Sequence, residues 1–235
     1  MGLRLVDGEE ARMNTAGKGW LVDLWRRLAC LWWLKALGNT AFLVVFFWLY
    51  LWVQARPQFA VTQIPATALD RWIGFQPWAI GLYLSLWVYT ALPVALQPSW
   101  PALRRYGWWI GALCALGLLM FALWPSSVSQ AVGPRLGASP WFATLYAMDT
   151  NGNACPSLHV AAAVFSALWL RAQGHAMGAP RAWGVVNALW CVGIAVSTMA
   201  IKQHLLIDVA AGAALGALMG AWSLRGPLAG RAPAP

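Results

Sequence analysis

Hydrophobic and polar positions fall in long blocks along this chain rather than alternating residue by residue. Six apolar stretches stand out, over roughly residues 37–55, 72–96, 106–124, 157–172, 182–201 and 204–224. Each is close to the ~20 residues that a helix needs to cross the hydrocarbon core of a bilayer. Each is bounded by Pro, Gly or charge; the fourth is the shortest, and only Lys202 and Gln203 separate the last two. The pattern predicts an all-α fold, a polytopic membrane helix bundle with six transmembrane helices. It divides the chain into an N-terminal segment (1–36), a six-span domain (37–225) and a short tail (226–235). Residues 19–35, GWLVDLWRRLACLWWLK, mix Trp and Leu with Arg and Lys. That mixture suits a helix lying in the cytoplasmic interface, and equally an extension of the first span. Glu9 and Glu10, and a first apolar run of full span length, argue against a cleavable signal peptide.

Composition agrees with the pattern. Hydrophobic residues make up 60% of the 235 positions and charged residues 10%, with 18 Trp. Soluble domains are about a quarter charged, so a soluble, disordered or collagen-like chain is excluded. Many Trp lie near expected span ends, among them Trp72, Trp108, Trp124 and Trp183, where indoles favour the interface. The net charge of +9 raises the question of a nucleic-acid partner, and its distribution answers it. With the N-terminus inside, twelve of the sixteen basic residues fall on the cytoplasmic side. The other side holds Arg56, Arg71, Arg135 and Lys202. The positive-inside rule therefore predicts that both termini are cytoplasmic and that no nucleic acid is bound. The four cysteines, Cys30, Cys114, Cys155 and Cys191, form no CxxC pair and predict neither a disulfide framework nor a zinc site.

The chemistry is sought among polar groups that a bilayer should expel. Asp208 is the one carboxylate in the six stretches, and ionisable residues inside spans usually serve a function. It follows His204 by four residues, which places both on one helical face. The carboxylate can then accept the imidazole Nδ1–H and leave Nε2 free as a base or nucleophile. A buried pair that merely ties helices together is the structural alternative. His159 follows Cys155-Pro156-Ser157-Leu158, where Ser157 reads as the cap of a helix whose N-terminus would favour an anion. His159, His204, Asp208 and Lys202 are all expected on the non-cytoplasmic side. His175 falls in a cytoplasmic loop. Asp149, Asn151 and Asn153 fit turn chemistry or a headgroup contact. Gly212, Gly216 and Gly220, at four-residue spacing, predict close packing of the last helix against its neighbours.

Pro156-Ser157-Leu158-His159, followed by Ser197-Thr198-x5-His204-x3-Asp208, resembles the second and third motifs (P-S-G-H and S-R-x5-H-x3-D) of the type 2 phosphatidic acid phosphatase superfamily. The resemblance covers the six-span core, roughly 40–225. Leu158 stands for the usual Gly and Thr198 for the phosphate-binding Arg. Both departures, with Met199, look like the branch that includes fungal inositol phosphorylceramide synthase and related bacterial proteins. The first motif, K-x6-R-P, is missing; Pro134-Arg135 is nearest, with Val128 at the Lys position.

The resemblance implies metal-independent, cofactor-free, two-step phosphoryl transfer in a bacterial inner (plasma) membrane. His204 would attack phosphorus, Asp208 would stabilise its imidazolium, and His159 would protonate the departing lipid oxygen and then activate the acceptor. With two family cations missing, Lys202 and Arg135 are the candidate phosphate-binding replacements, each otherwise a snorkelling interfacial residue. Ser157, Ser197 and Thr198 are candidate hydroxyl donors to phosphate, although hydroxyls in spans commonly bond back to their own helix. Three functions are expected in order. The first is a lipid phosphate or pyrophosphate phosphatase with its site on the non-cytoplasmic face. The second is a phosphotransferase of the inositol phosphorylceramide synthase type. The third is a catalytically dead scaffold or lipid carrier.

Overall fold

The computed structural model describes residues 19–128 and 152–225, and they are predominantly helical. Helix α1 covers residues 19–29. Cys30 and Leu31 form a turn, with Leu31 left-handed at φ 53°, before α2 (Trp32–Ala55). The segment 19–35 is therefore a separate helix, a turn and the first residues of α2, not a continuous extension of the first long helix. Trp20, Leu24 and Leu28 pack against the buried cluster that includes Leu96, Leu170 and Met177, Trp20 meeting the Trp183 ring edge-on, while Val22 and Trp25 point outward. Lys35, buried in the first turn of α2, donates to the carbonyls of Arg27 (2.6 Å) and Ala95 (2.7 Å) and pins this corner.

The second apolar stretch is not one helix. Helix α3 (Ala68–Ile73) ends at Gly74 (φ 60°), and a 3-10 turn over Pro77–Ala79 leads into α4 (Ile80–Leu84) and α5 (Leu86–Ala95). Pro77 cannot continue a preceding helix, and the glycine reverses the backbone. At the α4–α5 junction Ser85 Oγ donates to the Leu82 carbonyl (2.6 Å) and accepts from Trp190 Nε1 (2.8 Å), competing with the helical ladder. Helix α6 (Trp100–Leu123) begins earlier than the apolar pattern indicates, because Ser99 and Pro101 open it. Arg105, in its second turn, donates to the carbonyls of Ser223 (2.6 Å) and Arg225 (2.6 Å), satisfying the end of the last helix.

The remaining helices are α7 (Leu158–Met177), α8 (Arg181–Ala200) and α9 (Leu206–Ser223). Among the described residues, five helical segments are long and apolar enough to cross a membrane: Trp32–Ala55, Pro77–Ala95, Trp100–Leu123, Arg181–Ala200 and Leu206–Ser223. This chain is thus built as a membrane protein. Helix α7 is less apolar because it occupies the centre. One of its faces joins Tyr106, Leu113, Phe121 and Met219; another joins Tyr89, Leu96, Cys191 and Ile194. It runs parallel to α9 in close contact. A Cβ on Gly212 would approach the Ser157 carbonyl, and one on Gly216 the Ala161 carbonyl, at 2.2 and 2.3 Å. The glycine spacing thus does bring the last helix against a neighbour. Trp72, Trp108 and Trp124 are exposed as expected of belt residues, whereas Trp183 is wedged over Gly174 and donates to the Leu170 carbonyl (2.9 Å).

A small cap lies over one end of the bundle. Strands β1 (Thr62–Ile64) and β2 (Ser126–Val128) pair in parallel, with Ile64 opposite Val128. Their apolar side chains cover Ala154, Cys155 and Leu205. The segment 152–157 passes beneath through a cis Cys155–Pro156 bond and enters α7.

Candidate active site

Three helix ends meet beneath this cap: the start of the second membrane segment, the start of α7, and the turn between α8 and α9. Ser157 is the N-cap of α7, its buried Oγ accepting from Val160 N (3.3 Å), and its own N–H donates to the Asp208 carbonyl (3.0 Å). His159 is consequently held in the first turn of α7, facing the turn that precedes α9. The α8–α9 turn is tied by the Thr198 carbonyl, which accepts from both Gln203 N (3.0 Å) and His204 N (3.2 Å). Lys202 takes a left-handed conformation there (φ 61°), so the chain reverses within a few residues.

The result is a row of polar side chains. Tyr83 Oη lies 2.8 Å from His159 Nε2; His159 Nδ1 lies 3.1 Å from His204 Nε2. His204 Nδ1 lies 3.7 Å from Asp208 Oδ2, an ion-pair distance beyond hydrogen-bond range. The His204–Asp208 proximity arises from the turn and not from a shared helical face, since α9 starts only at Leu206. Asp208 Oδ2 also accepts from Leu205 N (2.9 Å), an acidic cap in the first turn of α9. Buried His204 Nδ1, Asp208 Oδ1 and Gln203 Nε2 have no hydrogen-bond partner among the described residues. Such groups are costly to leave unmade, and Ser166 Oγ and Gln173 Oε1 elsewhere in the bundle share the condition.

Lys202, 2% exposed, donates from Nζ to the Asp70 carbonyl at 2.6 Å. Burial pushes its ammonium below the usual lysine range, and the Asp70 charge opposes that shift. Asp70, in α3, is itself fully buried. Its carboxylate accepts from Thr67 N (2.8 Å), Thr67 Oγ1 (2.7 Å) and, across the fold, Leu206 N (2.9 Å). One acidic residue thus caps both α3 and α9. Ser197 Oγ and Thr198 Oγ1 donate to the carbonyls of Ile194 (2.7 Å) and Ala195 (2.8 Å), the helix back-bonding anticipated as their alternative. Arg135, with Asp149 and Asn151, lies outside the described residues. Asn153 donates to the Tyr50 carbonyl (3.3 Å) and fixes the entry to α7 against α2.

His159 and His204 open into a cavity of about 770 Å³ between α2, α4–α5, α6 and α7, with Tyr83, Trp87 and Asn153 beside them. Ser157, Ser197, Thr198, Lys202 and Asp208 do not line it. Two site residues escaped the sequence. Tyr83 is one of several aromatics in an apolar stretch, with no local mark to distinguish it. Asp70 had a signal, the capping pattern Thr67-Ala-Leu-Asp70, but one that points to a helix start rather than to a site.

Comparison of the chain with protein-family models, with curated proteins and with solved structures found no match.

Proposed function

We propose that this protein is an integral-membrane phosphatase that releases phosphate from a lipid phosphate or pyrophosphate through a phosphohistidine intermediate. The observation that carries the proposal is the row Tyr83–His159–His204–Asp208 opening into an apolar cavity within a membrane bundle. The motif resemblance and the row share His159, His204 and Asp208.

The protons in the row follow by elimination. A carboxylate only accepts, so His204 Nδ1 carries the proton facing Asp208 and Nε2 keeps its lone pair. His159 Nδ1–H then donates to that lone pair, and His159 Nε2 accepts from the Tyr83 hydroxyl. A phosphate group entering between the imidazoles meets a lone pair on one side and an N–H on the other. In the first step His204 Nε2 bonds to phosphorus, the ester P–O bond breaks, and the departing oxygen takes the Nδ1 proton of His159 as His159 Nε2 takes the proton of the Tyr83 hydroxyl. In the second step water attacks phosphorus and gives its proton to His159 Nδ1, Nε2 returns its proton to Tyr83, and the P–N bond to His204 breaks. An alcohol in place of water makes the second step a phosphotransfer, the alternative of the inositol phosphorylceramide synthase type. Lys202, which does not line the cavity, contributes positive potential from behind the turn.

The topology belongs to the same proposal. Helix α7 runs beside α9 along its length and returns to α8 through residues 178–180. It is read as the sixth span, with both termini in the cytoplasm and the histidines toward the opposite face of a bacterial inner membrane.

The purified protein, given lipid phosphates in EDTA, is expected to release phosphate. His204→Ala is expected to abolish release, and acid-labile label from ³²P-substrate should appear on the wild type but not on this variant. Full activity in His204→Ala would sink the mechanism.

A further inference from the structure

The cavity extends far beyond the two imidazoles. Its α2 wall runs from Leu51, near the histidines, to Leu34, about 25 Å along the helix. That is most of a hydrocarbon core of about 30 Å. The shaft is lined mainly by apolar side chains such as Phe42, Phe46 and Ile110, with Thr90 and Tyr106 among them, and Lys35, Asn39 and Arg104 stand at its far end. An apolar wall of this length favours hydrocarbon over water. Its polarity profile fits an amphiphile whose charged head meets the histidines and whose chain fills the shaft.

Two glycines stand in the far part of the shaft. Gly38 lies one turn from Lys35, and Gly107 one turn from Arg104. Both line the cavity, and a Cβ built on either meets no atom within 4 Å. Any larger side chain at these positions would project into open space. On α2, Gly38 is about 20 Å from the level of Leu51.

We propose that the substrate's hydrocarbon chain lies inside the bundle, and that Gly38 and Gly107 keep open the far portion that admits long chains. This rests on the phosphatase reading for the identity of the head, and adds the site and length limit for the tail. Lipid tails outside are as apolar as the shaft, so selection acts by exclusion of chains that do not fit.

The test uses a homologous series of n-alkyl phosphates with the full-length protein in detergent and in nanodiscs. Gly38→Phe and Gly107→Phe are expected to lower kcat/KM for long chains by about tenfold or more, the cost of overpacking. Chains shorter than about 20 Å should be turned over within about twofold of wild type. Gly111→Phe is the control, since Gly111 also faces open space but does not line the cavity. Chain-length profiles that superimpose on wild type would overturn the proposal while leaving the phosphatase reading intact. A second arm needs no turnover: a long-chain alkyl phosphate with a terminal diazirine is crosslinked and the labelled residues mapped. Labelling concentrated at α2 and α6 cavity positions, and displaced by Gly107→Phe, supports the tail site even if no phosphate is released. Labelling spread over the outer helix faces overturns it.

Discussion

At the scale of single residues, Tyr83 holds the far end of the imidazole row and so sets which nitrogen of His159 carries a proton. Loss of its hydroxyl leaves His159 free to adopt the opposite tautomer, with a lone pair facing the nucleophile. Tyr83→Phe is therefore expected to slow hydrolysis of an alkyl phosphate about tenfold, the worth of one hydrogen bond. An aryl phosphate, whose phenolate leaves without a proton, should be nearly unaffected. Equal losses on both substrates would mean that Tyr83 only supports the fold. Asp208 and His204 were legible in the sequence because an ionisable group in an apolar stretch is expensive and therefore conspicuous. Tyr83 was not, since tyrosine is equally at home in cores and at interfaces. Asp70 was hidden for a different reason. Acids are ordinary in loops, and its burial depends on a residue far along the chain.

At the scale of elements, the parallel contact of α7 with α9 sets the separation of the two histidines. Helix α7 carries His159, the turn leading into α9 carries His204, and the backbones touch where Gly212 meets Ser157. Gly212→Ala would force the helices apart at the site itself. The expected outcome is a stability loss of about 1–3 kcal/mol by thermal unfolding, together with a loss of activity larger than that stability loss explains. Gly111→Ala, in open space, should change neither. Block hydrophobicity located the long helices, and glycine spacing foretold the close packing. The break of the second stretch into α3, a 3-10 turn, α4 and α5 was written in Gly74, Pro77 and Ser85 but overridden by the apolar count. The cavity had no sequence signature, because it is made by what four helices fail to fill.

At the scale of the whole molecule, charge follows the ends of the bundle. Arg26, Arg27, Arg104, Arg105, Arg171, Arg181 and Arg225 flank the helix ends away from the histidines, and Arg56, Arg71 and Lys202 lie near them. The orientation proposed from this asymmetry is open to direct test in intact cells expressing single-cysteine variants in a cysteine-free background. A membrane-impermeant maleimide should label Gln58→Cys and leave His175→Cys untouched until the cells are permeabilised. The opposite pattern would place the histidines in the cytoplasm.

Asp70 also gives the molecule a clock. Its carboxylate caps α9 through Leu206 N, a residue 136 positions later in the chain. At about 5–20 residues per second, a ribosome needs roughly 7–27 s to deliver that partner. During this interval the first two membrane segments are already inserted, yet the acid beside them lacks its distant amide and Lys202 has not been made. The proposed catalytic row cannot exist before α9 arrives, so a nascent or truncated chain should be inert toward the lipids around it. Activity would then report insertion of α9, and a pulse-chase of phosphate release against chain length would show it switching on only once that helix has been made.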